Sequence, residues 1–253
     1  PHAPHTVNAE DLKLISALSE QYDLPVSMHV AETEKEFLEF EDKYGLTPIE
    51  YLDSIGMLNE RFIAAHAIFV TDSDIALMKE RDIGVSHNMV ANIKSAKGLS
   101  PALQMHDLGL RVGLGTDGPM SGNTLDIIGQ MGYVAKLHKL DNNDRTVMPP
   151  IKVVEMATIG GARAIHRENE LGSIETGKLA DVVVVEVQSA NMVPIYNPYS
   201  ALVYSANASN VATVIVNGKV IVKNKVLQTY DETKSRQMMI EFSDRVRAIS
   251  KTL

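Results

Sequence analysis

Four times between residues 25 and 117 a short apolar run ends at a residue able to bind a metal or carry a proton. The runs are PVSMHV (25–30), FIAAHA (62–67), IGVSH (83–87) and RVGLGT (111–116), and the residues are His29, His66, His87 and Asp117. Each run is too short for a helix and carries enough Val and Ile to read as a buried strand. Between them lie longer stretches with apolar residues at helical spacing. The spacing predicts helices over 8–22 with Asn8 as N-cap, 35–43, 48–55, 72–81, about 101–106, 125–140 and 150–159. Buried strands alternating with helices indicate parallel βα units, in a doubly wound sheet or a (β/α)8 barrel. Polar residues at the C-terminal end of strand after strand favour the barrel, which places catalytic groups at that face. An open sheet would gather them near one switch point. The expected fold class is therefore α/β, the C-terminal part of a TIM-type (β/α)8 barrel over residues 1–170.

Beyond residue 170 the pattern changes. LGSIETGK (171–178) is turn-rich, and ADVVVVEV (180–187), VATVIVN (211–217) and residues 219–222 read as strands. Asn217-Gly218 is a strong hairpin signal. A small β-sandwich module with a helix over 231–249 is expected to fill residues 171–253.

Composition narrows the chemistry. The chain has no cysteine, which excludes disulfides, thiolate metal sites and the P-C-x-x-C nucleobase deaminases. Any metal must rest on His, Asp and Glu. The net charge is −8 with no block of Lys and Arg, which argues against nucleic acid or an anionic membrane as partner. No apolar run approaches the ~18–20 residues of a membrane span. The opening residues, PHAPHT, match no signal-peptide pattern and look like the interior of a domain. A cytoplasmic location is expected.

His29 and Glu32 form an H-x-x-E pair. A metal ligand beside a carboxylate is what metal-assisted hydrolysis requires, because the metal lowers the pKa of its water to about 7 and the carboxylate moves the proton. Taken alone, the pair reads more readily as a capped loop with a solvated glutamate. His66 and His87 taken singly read as core histidines bonded to carbonyls. Asp117, after a strand and before Gly118, suits a metal ligand, a base or a turn-opening cap. Three strand-end histidines, one strand-end aspartate and a loop glutamate on one face are hard to obtain from packing alone.

The segments HVAETEKE, FIAAHAIFVT, VSHNMVANIKSAKG and GLGTDGPMSGNTLD resemble successive barrel motifs of the amidohydrolase superfamily. The likeness is to its 5-methylthioadenosine/S-adenosylhomocysteine deaminases and to triazine chlorohydrolases. LGSIETGKLADVVVVE and VATVIVNGKVIVKNKV resemble the return to that family's β-sandwich and its last hairpin, so the resemblance runs from residue 1 to about 225. It implies His29 and Asp117 as ligands of one divalent metal, zinc ahead of iron. Asp117 would also receive the water's proton, Glu32 would protonate the ring nitrogen, and His66 would orient the attacking or leaving group. It implies His2 and Ser121 at the substrate, and a supporting role for His87 and Asn92 in an H-N-x-x-x-N loop. His5 stands where relatives often carry an aromatic residue. His106, His138 and His166 are read as structural or solvated.

The resemblance also implies an H-x-H pair on the first barrel strand, and none occurs in this sequence. The chain is therefore expected to be a fragment or one part of a longer or split protein, and by itself inactive with poor metal binding. The expected reaction is hydrolytic deamination of an aminopurine, with adenine on a thio-substituted ribose ahead of guanine or a related amino-heterocycle. Chlorohydrolysis of a triazine-like ring is the alternative with the same chemistry. A non-catalytic subunit keeping the fold is the alternative from another class. A phosphate-binding barrel would need a Gly-rich loop, and Gly118 and Gly122 are too sparse. The partner is a small heterocyclic substrate. A homodimer is the assembly that relatives suggest, with no interface specified in the sequence.

Overall fold

A computed structural model describes residues 1–250; the last residues of the expected 171–253 module, 251–253, lie outside them. The chain forms two compact units. The first holds Pro1–Lys178 and takes up Ala190–Ala208; the second holds Leu179–Ser189 and the chain from Ser209 onward.

In the first unit, β1 (Val26–Val30), β2 (Phe62–His66), β3 (Gly84–His87) and β4 (Arg111–Leu114) form one parallel sheet in sequential order. Pairing sets Val30 opposite His66 and His87 opposite Leu114, so the strand ends are level. Sequential parallel order is what right-handed βα crossovers produce. Alternation along β1 sends Met28 and Val30 into the apolar core while His29 faces the other way. In the core, Phe62, Ile75, Met78 and Val85 are almost fully buried, each contributing on the order of 1.5–3 kcal/mol.

The helices begin where the sequence places caps. α1 (Ala9–Tyr22) starts at Asn8, whose Oδ1 accepts the Asp11 N–H at 2.8 Å. α2 (Glu34–Tyr44) starts at Thr33, and α3 (Pro48–Ser54) and α4 (Asp72–Glu80) open with reciprocal capping boxes at Thr47 and Thr71. The Asp74 carboxylate of the second box is fully buried and also accepts the Thr47 hydroxyl at 2.5 Å, tying the two helix starts together.

Three elements differ from expectation. The H-N-x-x-x-N segment is not a loop: α5 (Met89–Lys94) begins directly after β3, with Asn88 at its N-cap. After α6 (Ala102–Asp107) and β4, Pro119–Gly122 forms a short helix, α7, ahead of α8 (Ile127–Asp141). The helix expected over 150–159 ends early as α9 (Pro150–Met156), and a separate α10 (Ile159–Ala164) follows. The break lets Gly160 and Gly161 bring α10 onto the sheet. A Cβ on Gly113 of β4 would lie 2.6 Å from the Gly161 Cα, so only glycine permits that approach.

In the second unit, β5 (Val182–Val185), β6 (Val211–Val216), β7 (Lys219–Lys223) and β8 (Val226–Leu227) form an antiparallel sheet in that order. Asn217 and Gly218 both take positive φ, as the expected β6–β7 hairpin turn requires. Residues 198–204, which rejoin the first unit, form α11 (Pro198–Tyr204). The closing helix, α12 (Glu232–Ser250), is exposed along its length. Among the described residues no helix is long and apolar enough to cross a membrane.

Candidate active site

His29, Glu32, His66 and Asp117 meet at the C-terminal ends of β1, β2 and β4, and His66 Nε2 is their common point. It lies 2.8 Å from His29 Nδ1, 3.3 Å from Glu32 Oε1 and 3.8 Å from Asp117 Oδ2. His66 is fully buried, while Glu32 and Asp117 keep small exposed faces. Below them, Ser27, Ala65, Ser86 and Gly115 line a cleft of about 380 Å³ that also takes in His2, His29 and Asp117. Small residues there leave room above the strand ends.

Backbone strain is concentrated at this face. Ala31, His66, Ala67 and Asp117 all adopt left-handed φ, between 45° and 74°. Each such non-glycine residue costs roughly 1–3 kcal/mol and persists only where its neighbours hold it. The neighbours are identifiable. The buried Glu36 carboxylate accepts the Ala31 N–H at 3.1 Å and the Glu32 N–H at 3.0 Å. Ala31 carbonyl oxygen accepts from Ile68 and Phe69, both at 2.9 Å, and the Ala67 carbonyl accepts the Ser100 hydroxyl at 2.8 Å. Burial raises the Glu36 pKa despite its two backbone bonds.

Electrostatics separates the groups. Burial, then the neighbouring His66, holds the His29 imidazole below its ordinary pKa, leaving it neutral and able to offer a lone pair. Burial pushes the Glu32 carboxyl up, but the hydrogen bond from Lys97 and the charges around it outweigh that, and its pKa falls. Burial likewise raises Asp117, and the Gly118 N–H, the Ser121 hydroxyl and the two imidazoles bring it below the ordinary carboxylate value. Gly118 N–H donates to Asp117 Oδ1 at 2.6 Å. Both carboxylates are therefore anionic near neutral pH.

The structure gathers all six residues anticipated from sequence. His2 is held by its carbonyl, which accepts the His29 N–H at 3.0 Å, and its ring lies 5.1 Å from that of His29. Ser121, on α7, lies close enough to Asp117 for its hydroxyl to help lower that carboxyl's pKa. His5 stands one step further out, 6.4 Å from the His2 ring, beside an open groove of about 970 Å³ flanked by Phe40, Tyr44 and Tyr51. His87 is buried one layer deeper and pairs with His138, Nε2 to Nε2 at 3.2 Å. His138 is thus structural rather than solvated.

Lys97 and Glu36 were not anticipated. Glu36 had a local signal, since Thr33-x-x-Glu36 is a capping-box pattern; the carboxylate passes over the cap and clamps the Ala31–Glu32 loop instead. Lys97 had none, because it reaches Glu32 across 65 positions.

Two imidazole nitrogens and two carboxylates form a nitrogen–oxygen donor set suited to a divalent metal such as zinc. Ligand atoms of His29, Glu32 and His66 all lie within 4.8 Å of one another. The residues fit a metal.

Level strand ends carry histidine and carboxylate, with no thiolate, an arrangement suited to metal-assisted hydrolysis. The family model of the amidohydrolase family matches residues 1–221, and the chain belongs to that family. It is 39% identical over 234 residues to a 5-methylthioadenosine/S-adenosylhomocysteine deaminase of Thermoanaerobacter pseudethanolicus, covering 92% of this chain and 54% of the relative. It is 40% identical over 232 residues to a 5'-deoxyadenosine deaminase of Methanothermobacter thermautotrophicus, again 92% and 54%. The crystal structure of an adenosine deaminase from Xanthomonas campestris with bound zinc superposes with a TM-score of 0.95 at 34% identity, covering 98% of this chain and 56% of that one. The chain spans about half the length of the curated relatives it matches.

Proposed function

We propose that this chain carries the acid–base half of a metal-dependent deaminase acting on an aminopurine, with adenine on a 5'-modified deoxyribose or thio-substituted ribose as substrate. The observation that carries the reading is the meeting of His29, Glu32 and Asp117 around His66 Nε2. The names of the similar deaminases support the substrate class. In this reading the four βα units are the second half of a (β/α)8 barrel within residues 1–170, and the chain from 171 onward is part of a β-sandwich. The enzyme works in the cytoplasm, and a homodimer is its proposed assembly.

His29 and Asp117 would hold the metal, zinc ahead of iron. When bound, a divalent metal supplies a Lewis acid that makes water nucleophilic near neutral pH. The water oxygen adds to the ring carbon bearing the amino group, and its two protons must reach the ring nitrogen and the leaving amine. Glu32 begins ionised, so it takes a proton from the water and gives it to the ring nitrogen. Asp117 takes the second and gives it to the amine, which departs as ammonia while the ring carbonyl forms. His66 orients the attacking oxygen or the leaving group. His2 and Ser121 face the substrate.

The test is zinc content by elemental analysis with ammonia release from 5'-methylthioadenosine, S-adenosylhomocysteine and guanine. It is run on the chain alone and on the chain co-expressed with the complementary half of a similar deaminase. Ammonia release with the complement, lost on Glu32→Gln and on Asp117→Asn, is the expected result. A folded, zinc-loaded assembly that releases ammonia from none of the substrates would overturn the reading.

A further inference from the structure

Against the second ring nitrogen of His66 lies a residue that the proposed reaction does not use. Asn92 is fully buried on α5, and its Oδ1 lies 2.6 Å from His66 Nδ1. An amide oxygen can only accept a hydrogen bond. His66 Nδ1 must therefore carry a proton and donate it to Asn92. On the other side of the ring, Nε2 lies 2.8 Å from His29 Nδ1. One amide oxygen thereby fixes which ring nitrogen of His66 is turned toward the cluster.

We propose that Asn92 is a positioning residue that keeps a proton on His66 Nδ1, so that Nε2 is the ring atom presented to His29, Glu32 and Asp117. Three observations support it. The Asn92 Nδ2 is buried without a partner, an arrangement that costs roughly 1–3 kcal/mol. A side chain kept under that penalty is retained for what its oxygen does. The helix α5 is the element missing from a plain strand–loop reading, and it places Asn92 one turn past its N-cap Asn88, directed at the end of β2. Finally, His66 is fully buried with Asn92 Oδ1 2.6 Å from one ring nitrogen and His29 Nδ1 2.8 Å from the other, so the ring is held in one orientation. A ring nitrogen bonded in this way fixes which nitrogen faces a metal or a proton. The role of the cluster rests on the proposed function, but the tautomer does not, and it can be read without metal or substrate.

The experiment uses the full chain, ¹⁵N-labelled and treated with chelator, with imidazole nitrogens observed by long-range proton–nitrogen NMR near pH 7.5. Signals of His66 are assigned by their loss in His66→Gln. The expected result is a protonated Nδ1 in the wild type and in Asn92→Asp, which keeps an acceptor, and growth of a form with bare Nδ1 and protonated Nε2 in Asn92→Leu. Zinc affinity, measured by competition with a chromophoric chelator, is expected to fall roughly 10–100-fold in Asn92→Leu and to be retained in Asn92→Asp. A wild type protonated at Nε2 alone overturns the proposal, as does an Asn92→Leu variant in which Nδ1 stays protonated as in the wild type. The wild-type and Asn92→Asp spectra decide the matter even if Asn92→Leu does not fold. Failure of the deaminase reading would leave these spectra unchanged.

Discussion

His29 Nδ1 and His66 Nε2 are 2.8 Å apart, joined across 37 positions of sequence by adjacent parallel strands. With Glu32 and Asp117 near the same nitrogen, they make an electron-rich cluster, and the Lys97 ammonium pairs with its Glu32.

Metal affinity should follow this cluster. His29→Ala and Asp117→Asn are each expected to weaken zinc binding by about tenfold or more, since each removes one of few donors. Competition titration against a chelator checks this. Affinities equal to wild type in both variants would place the metal elsewhere.

Lys97 should oppose metal binding. Its ammonium donates to Glu32 and would lie near an arriving dication. Lys97→Met removes that repulsion, and an increase in zinc affinity of about threefold to tenfold is expected at low salt. Glu32 should also titrate higher in this variant, because Lys97 is the main group opposing the effect of its burial. Carboxyl NMR reads that shift directly.

Acid should destabilise the fold earlier than its carboxylates require. Burial, then His138, lowers the His87 pKa to about 3, and burial lowers His138 to about 4. Both imidazoles stay neutral in the folded chain, while the unfolded chain takes up protons below about pH 6.5. Stability is full above that pH and is lost progressively as pH falls toward the folded values. Between pH 6.5 and 5 the loss is on the order of 2 kcal/mol per histidine. Urea denaturation at pH 7.5 and 5 measures it, and His138→Gln should remove about half of the dependence. A wild type equally stable at both values would contradict the burial of this pair.

The packing of α10 on β3 should be intolerant of a single methyl. A Cβ on Gly84 would lie 1.9 Å from the Ala164 carbonyl oxygen, which is backbone and cannot swing aside. Gly84→Ala is expected to cost about 1–3 kcal/mol or more. The midpoint of urea unfolding reports it, and an unchanged midpoint would show that α10 moves freely on the sheet.

Much of this was legible in the sequence because it is local. A strand's period of two and its short length put His29, His66, His87 and Asp117 at strand ends, and the alternation with amphipathic helices made the strands parallel. The caps at Asn8, Thr47 and Thr71 follow from side chains meeting N–H groups three residues on. Tertiary structure alone decided which partners each group would have. Asn92 reaches His66 across 26 positions, His138 reaches His87 across 51 and Lys97 reaches Glu32 across 65. Those distances are closed by helices docking on a sheet, where the fit of buried surfaces, not any spacing along the chain, selects the contact. Sequence determined which residues could do chemistry; packing decided their tautomers, their charges and the cation that guards them.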